Sequence, residues 1–330
     1  MSQVLMSRDV AAAQFIEHGI AQFRQNRFEH AVAHFDAALE LKPDDNYARW
    51  NRATALLSLG DYARGFPEHD VAWRLFHWRG FSQIGDIDRI MHLPVWKGEC
   101  DARVLVYHEL GFGDAIMAMR YLDEMSVRAS EVVLVIDRPL ARLASEFEVV
   151  VATQLPLDLS GFDYRLPFFG VMSALSETGE TIPNAPYIAR DFPVPGSLGN
   201  KVGIVWCGRT QNSFTLDRFL SLFDHGGFQL HALQPGPVAG DIEPLHPGAD
   251  FADVADRIAE MDHIVCVDTA AIHLAGAMGH PSAHLVLPYL SDWRWHRTEW
   301  WYPRLHTYRQ PSPDDWTTPF AQLNEALHGR

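Results

Sequence analysis

Ile264-Val-Cys-Val-Asp-Thr-Ala-Ala-Ile-His-Leu-Ala-Gly-Ala-Met-Gly279 is the stretch around which the chain is organised. Ile264 to Val267 is a short apolar, β-branched run, the pattern of a strand buried on both faces. Asp268 and Thr269 are N-cap residue types, and the Ala-rich segment after them reads as a helix that stops near Gly279. A strand that turns directly into a helix leaves backbone N–H groups and the positive end of a dipole at the strand's carboxyl edge, an arrangement that attracts anions. Ala270, Ala271, Ala275, Gly276 and Ala277 are small enough to let the helix lie close on a sheet, and His273, one turn in, adds a side-chain donor at the same mouth. An ordinary capped strand–helix unit accounts for Asp-Thr alone; the histidine tilts the reading toward an anion site.

At 330 residues the chain has room for two or three domains with cores of their own. A hydrophobic content of 47% with 21% charged residues is that of a globular protein. The net charge of -15 argues against a nucleic-acid partner, which requires a basic surface, but not against a local pocket for a small anion. Cys100, Cys207 and Cys266 are widely spaced with no CxxC pair, as expected of a reduced, cytoplasmic protein. No apolar run approaches the ~20 residues that span a bilayer.

Toward the N-terminus, residues 11 to 80 read as helical and repetitive. Gly19, Phe28, Ala31, Phe35, Ala38 and Pro43 fall at the small, aromatic and turn positions of a helix–turn–helix repeat of about 34 residues. The same step lands on Ala53, Tyr62, Gly65, His69, Ala72 and His77, a partial match. This resembles tetratricopeptide repeats; two are fewer than a free-standing solenoid needs, so the block is expected to pack on the domain after it. Its function is either to dock a protein or to cap the downstream domain. His30 and His34 lack the intervening glutamate of a zinc motif, and Asp86-Ile-Asp88, a formal DxD, sits in an irregular connector; no metal is expected.

At Arg103 the period changes. Val104 to His108 reads as a strand, Glu109-Leu-Gly-Phe-Gly-Asp114 as a turn, and the residues to about Met125 as a helix. Strand, glycine turn and helix suit a doubly wound sheet with ligands at its carboxyl ends. Gly111 and Gly113 permit a tight turn, but Ile116 stands where a dinucleotide fingerprint needs its third glycine, which disfavours NAD. Asp114 has two readings: a helix N-terminal cap, or a general base at a pocket mouth. Further strands are expected at Glu131–Ile136, Val149–Ala152 and near Tyr164. Residues 181 to 196, with Pro183, Pro186, Pro193 and Pro195, read as a linker.

A second α/β unit comes next. Lys201 to Cys207, Phe228 to Gln234 and Leu285 to Pro288 read as strands, Thr215–Phe223 and Asp253–Met261 as helices, with a last helix at Trp316–Leu327. The loop from Asp292 to Tyr302 carries Trp293, Trp295, Trp300 and Trp301 with Arg294 and Arg297. It serves either as interdomain packing or as a lid that stacks on a ring and clamps a phosphate.

The repeats, then PVWKGE at Pro94–Glu99, ELGFGD at Glu109–Asp114, VGIVWCG at Val202–Gly208, HALQ at His231–Gln234, VDTAAIHLAGAMG at Val267–Gly279 and DWRW at Asp292–Trp295, resemble the glycosyltransferase-like proteins of bacteria that follow tetratricopeptide repeats. Their catalytic half is similar to the lipopolysaccharide heptosyltransferases of glycosyltransferase family nine, and more distantly to protein O-GlcNAc transferases. The resemblance implies an α/β GT-B pair of Rossmann-like domains after an all-α segment. The expected division is residues 1–92 helical, 93–190 acceptor-side and 191–330 nucleotide-sugar-binding. It further implies inverting, metal-independent transfer from a nucleoside-diphosphate sugar to a hydroxyl on a protein or glycan, with no cofactor. Asp114 is then the acceptor-side base. Asp268, Thr269, Ala270 and His273 hold the donor pyrophosphate, and Gly111, Gly113, Trp206, Arg209, Gln234 and Arg294 complete the donor side. Relatives carry His, Asp and an Arg-Ser pair in the loop after the WCG strand; here it reads Gly208-Arg-Thr-Gln-Asn-Ser-Phe214, with Arg209 as the substitute cation. That departure motivates the alternative, a catalytically inactive binding module acting as a scaffold.

Overall fold

The computed structural model describes residues 7–71, 75, 87–156, 158–175, 178–179, 181–192, 199–208, 213–238 and 240–328. Four helices come first: α1 (Arg8–Phe23), α2 (Phe28–Leu41), α3 (Asn46–Leu59) and α4 (Tyr62–His69). They stack as two antiparallel pairs. Ser7, Asp45 and Asp61 cap the starts of α1, α3 and α4 by accepting from backbone amides, which satisfies donors that a helix cannot satisfy internally. The repeat positions do what the spacing requires: Ala31, Phe35 and Ala38 are fully buried between helices. The second-repeat positions Ala72 and His77 and the Asp86 of the formal DxD lie outside the described residues.

Two parallel sheets come after the helices. In the first, β1 (Arg103–Tyr107), β2 (Glu131–Val135), β3 (Val150–Ala152) and β4 (Tyr164–Pro167) lie in the order β3-β2-β1-β4. Leu105 pairs with Val133 on one side and Arg165 on the other. In the second, β5 (Lys201–Val205), β6 (Gln229–Ala232), β7 (His263–Val267), β8 (Ala283–Leu287) and β9 (Leu305–Arg309) lie in the order β6-β5-β7-β8-β9. The runs read as doubly buried strands are so: Val104 to Tyr107 and Ile264 to Val267 are closed to solvent. The strand at Leu305–Arg309 was not expected, because its half-exposed, mixed polar sequence lacks the apolar run that marks the others. Helices α5 (Phe112–Ala118), α6 (Leu122–Arg128), α7 (Arg138–Ala144), α8 (Leu216–Leu222), α9 (Phe251–Ala259), α10 (Ala270–Met278) and α11 (Thr317–His328) cover the sheets. The single helix expected to Met125 is instead broken by a tighter turn at Met119–Tyr121. The fold is thus α/β, a facing pair of Rossmann-like units preceded by an all-α segment.

The units share one core. Leu57, Tyr62 and Phe66 of the helical segment belong to the same buried cluster as Val104, Ile116, Ile264 and Trp301, while α1, α2 and the near face of α3 keep a separate core around Phe35. Between the sheets, Phe112 meets Phe251 edge-on at 5.3 Å. Arg142 of α7 pairs with Asp250 at 2.8 Å and with Asp253, and Arg190 bridges Glu146 at 2.7 Å and Asp256 at 2.8 Å. Tyr187 N donates to Ala277 O at 2.9 Å, so the proline-rich segment is fastened to α10.

Burial sets the pH response. It depresses His69 and His284 to about 3 and His280 and His296 to about 4. It raises Glu109 to about 8 and Asp70 and Asp268 to about 7. A histidine depressed on folding withdraws stability as pH falls below the unfolded histidine range, because only the unfolded chain takes the proton. A raised carboxyl withdraws it as pH climbs toward the folded value, because the folded chain must keep its proton. The histidines outnumber the carboxyls on the acid side, and only the carboxyls act above it, so the thermal midpoint is expected to peak at about pH 6. A midpoint rising steadily from pH 6 to 8 in calorimetry contradicts this balance.

Candidate active site

The carboxyl ends of β1, β5 and β7 open onto one cleft of about 510 Å³ between the two sheets. Gly111, Phe112, Gly113 and Asp114 line it from the first sheet, Cys207, Gly208, Pro235, Asp268, Thr269, Ala270 and His273 from the second, and Asp292 and Arg294 from the aromatic loop.

The turn after β1 is held from behind. Glu109 is buried, and its two oxygens accept from Phe168 N and Phe169 N at 2.9 Å each. His108 Nε2 donates to Gly111 O at 3.2 Å. Asp114 sits in the first turn of α5: Oδ2 accepts from Gly111 N at 2.9 Å as a cap, and Oδ1 faces the cleft, where Arg294 Nη2 donates to it. Gly113 is needed for close approach, since a Cβ there would stand 2.7 Å from His273 Cδ2.

On the facing side, Thr269 occupies the N-cap position of α10 but makes no capping hydrogen bond; its side chain turns instead to the buried Cys266 thiol. The side-chain cap read into Asp268-Thr269 is therefore absent. Thr269 is fully extended, at φ -151° and ψ 171°. The first-turn amides stay without a capping side chain at the cleft wall, as an anion site requires. The helix ends at Gly279, whose φ of 68° suits glycine.

His273 is buried; its Nδ1 lies 3.0 Å from the Tyr302 hydroxyl and its ring packs on Trp295 at 4.7 Å. Burial, then Arg294 and Arg120, hold its pKa well below the usual imidazole range, so the ring is neutral. With Nδ1 engaged, Nε2 is the nitrogen left, on the Gly113 side. Burial chiefly, and then Asp292, push the Asp268 carboxyl up to about 7.

Arg294, on the loop read either as packing or as a phosphate clamp, joins its guanidinium to Asp114 and, through Nη1, to Asp292 at 2.6 Å. Its side chain is 11% exposed, against 20% for Asp114. Among the described lining residues it is the one cation facing Asp114, Asp268 and Asp292. The aromatic loop is two short helical turns, Trp293–His296 and Thr298–Trp301, buried by packing rather than standing free as a lid. Trp206 and Gln234 do not line the cleft. Gln234 Oε1 accepts from Trp206 N at 3.0 Å and Cys207 N at 3.1 Å, fixing the chain's exit from β5. Arg209 lies outside the described residues. Asp292 escaped the sequence reading; its position two residues before Arg294, as the cap that accepts from Arg294 N at 3.1 Å, was the available signal.

A tetratricopeptide-repeat family model matches residues 16–69, in agreement with the helix pairs. Protein FlbA of Caulobacter vibrioides is 26% identical over an alignment of 383 residues that takes in 90% of this chain; the chain spans 64% of that protein's length. Among solved structures, Escherichia coli heptosyltransferase WaaC with ADP-2-deoxy-2-fluoro heptose is 12% identical, over 69% of this chain and 100% of that one, at a TM-score of 0.47. An O-GlcNAc transferase of Thermobaculum terrenum is 14% identical, over 96% of this chain and 86% of that one, at a TM-score of 0.29. No helix among the described residues is long and apolar enough to cross a membrane.

Proposed function

We propose that the chain is an inverting glycosyltransferase that needs no metal and moves a sugar from a nucleoside-diphosphate donor to a hydroxyl of a protein or glycan. The observation that carries this reading is the single cleft in which Asp114 of one sheet faces the uncapped start of α10 and His273 of the other. Asp114 takes the proton of the acceptor hydroxyl as its oxygen bonds to the anomeric carbon; the bond from that carbon to the diphosphate breaks on the opposite face, inverting the centre. Charge developing on the leaving diphosphate meets the α10 amides, His273 and Arg294, groups already in place before the reaction. No step draws on a further cofactor. Cytoplasmic residence and a protein acceptor carried on the helical repeats belong to the same proposal.

The occupation of Arg294 by two carboxylates favours a second reading, a cleft that no longer turns over and a chain that works as a scaffold. Calorimetry with ADP, UDP, GDP and CDP separates the two: a transferase is stabilised by one nucleotide over the rest, a scaffold by none. For the nucleotide selected, His273→Ala is expected to weaken binding about ten- to hundred-fold, the loss of one hydrogen bond to a charged group. Unchanged affinity would remove the imidazole from the diphosphate site.

A further inference from the structure

We propose that α4 of the helical segment stands behind the cleft as a support, and that Tyr62, Phe66 and His69 position Arg294 through Trp293. Trp293 is 2% exposed. Its ring is met nearly at right angles by Tyr62 at 6.0 Å, Phe66 at 5.9 Å and His69 at 6.4 Å. Phe169 at 6.2 Å and Trp301 at 5.9 Å complete the enclosure. The next turn is tied to the same helix, because Trp301 Nε1 donates to the Tyr62 hydroxyl at 2.9 Å. Arg294 comes directly after Trp293, and its guanidinium carbon lies 4.4 Å from the centre of that ring and 5.2 Å from that of Phe169.

The two kinds of contact divide the work. Asp292 and Asp114 hold the nitrogens of the fork, while the faces of Trp293 and Phe169 fix the level at which the guanidinium lies. Those rings rest on α4, so displacing Phe66 moves Trp293, and Trp293 carries its neighbour with it. His69 suits this place as a neutral ring, since burial and the adjacent Arg294 hold it uncharged; a cation there would push the arginine forward. The helical segment is therefore part of the site, whatever else its outer surface contacts. That Arg294 acts on a donor diphosphate rests on the function proposed above; that α4 positions it does not.

The test uses the whole chain, nitrogen-15 labelled, with the Arg294 Nε–Hε resonance assigned by its loss in Arg294→Lys. Phe66→Leu is expected to shift this resonance and raise its hydrogen exchange about ten-fold. Phe35→Leu, in the separate core that α1 and α2 form with α3, is expected to lower the thermal midpoint and leave the resonance in place. Affinity for the selected nucleoside diphosphate should fall about ten-fold in the first variant only. Tyr62→Phe, which keeps the ring and gives up the hydroxyl, should move the resonance the same way by a smaller amount, and it decides the matter if Phe66→Leu does not fold. An unmoved resonance in the α4 variants, or one moved as far by Phe35→Leu, overturns the proposal. If no nucleoside diphosphate binds the parent chain, the donor reading fails while the resonance still decides the role of α4.

Discussion

Asp114→Asn is expected to lower transfer by about 10²- to 10⁴-fold, the share a general base contributes, while leaving the fold and nucleoside-diphosphate binding in place. The amide is nearly isosteric with the carboxylate. Its oxygen can still accept from Gly111 N, which Asp114 Oδ2 now does at 2.9 Å, so the start of α5 stays capped. What is lost is the charge that Arg294 pairs with and the capacity to take a proton. Freed from one of its two carboxylates, Arg294 remains tied only to Asp292, so diphosphate affinity should hold or tighten as turnover collapses. Single-turnover transfer and calorimetry on the same preparation read the two effects separately. Near-normal turnover would take Asp114 out of the mechanism, and lost nucleotide binding would make it a structural residue.

The parts of this site legible in the sequence are those set by local chemistry. Asp114 and His273 stand one turn into helices that come after buried strands, and the apolar runs of β1 and β7 announce those strands without reference to the rest of the fold. Which sheet edge each strand reaches, and hence that Gly113 backs onto the His273 ring, depends on strand order and on the packing of α5 against α10, neither of which any spacing records. The same limit explains Trp206 and Gln234. Both lie at strand ends where ligands bind, yet Gln234 spends its oxygen on backbone amides of the neighbouring strand. Thr269 shows the converse: its residue type predicts a cap, while in the structure it makes no capping hydrogen bond and meets the Cys266 thiol. The aromatic loop offered two readings because tryptophans serve equally in packing and in recognition. Only contact with Tyr62 and Phe66, more than 200 residues away in the sequence, shows that packing holds it.

Arg294→Gln is the second large effect. Removing one preorganised donor from a developing negative charge costs about 2.7–4 kcal/mol of barrier, or about 10²- to 10³-fold in kcat. Here the loss is compounded by what the arginine now offsets. Asp114, Asp268 and Asp292 share the cleft with no other described cation lining it, so the glutamine variant presents three acidic groups to an incoming dianion, and affinity should fall along with turnover. The cost to the fold should stay below the ~3–5 kcal/mol of a fully buried broken pair, because Asp114 and Asp292 keep 20% and 39% side-chain exposure. Arg294→Lys distinguishes charge from geometry. An ammonium restores the positive charge but cannot fork between two carboxylates or reproduce the guanidinium's contact over Trp293, so it should recover affinity more than kcat. Full recovery of both by lysine would reduce Arg294 to a point charge. Full turnover in the glutamine variant would leave the α10 amides and His273 to carry the leaving diphosphate alone, and would free Arg294 for its one remaining task, holding Asp114 against the loop from Asp292 to Tyr302.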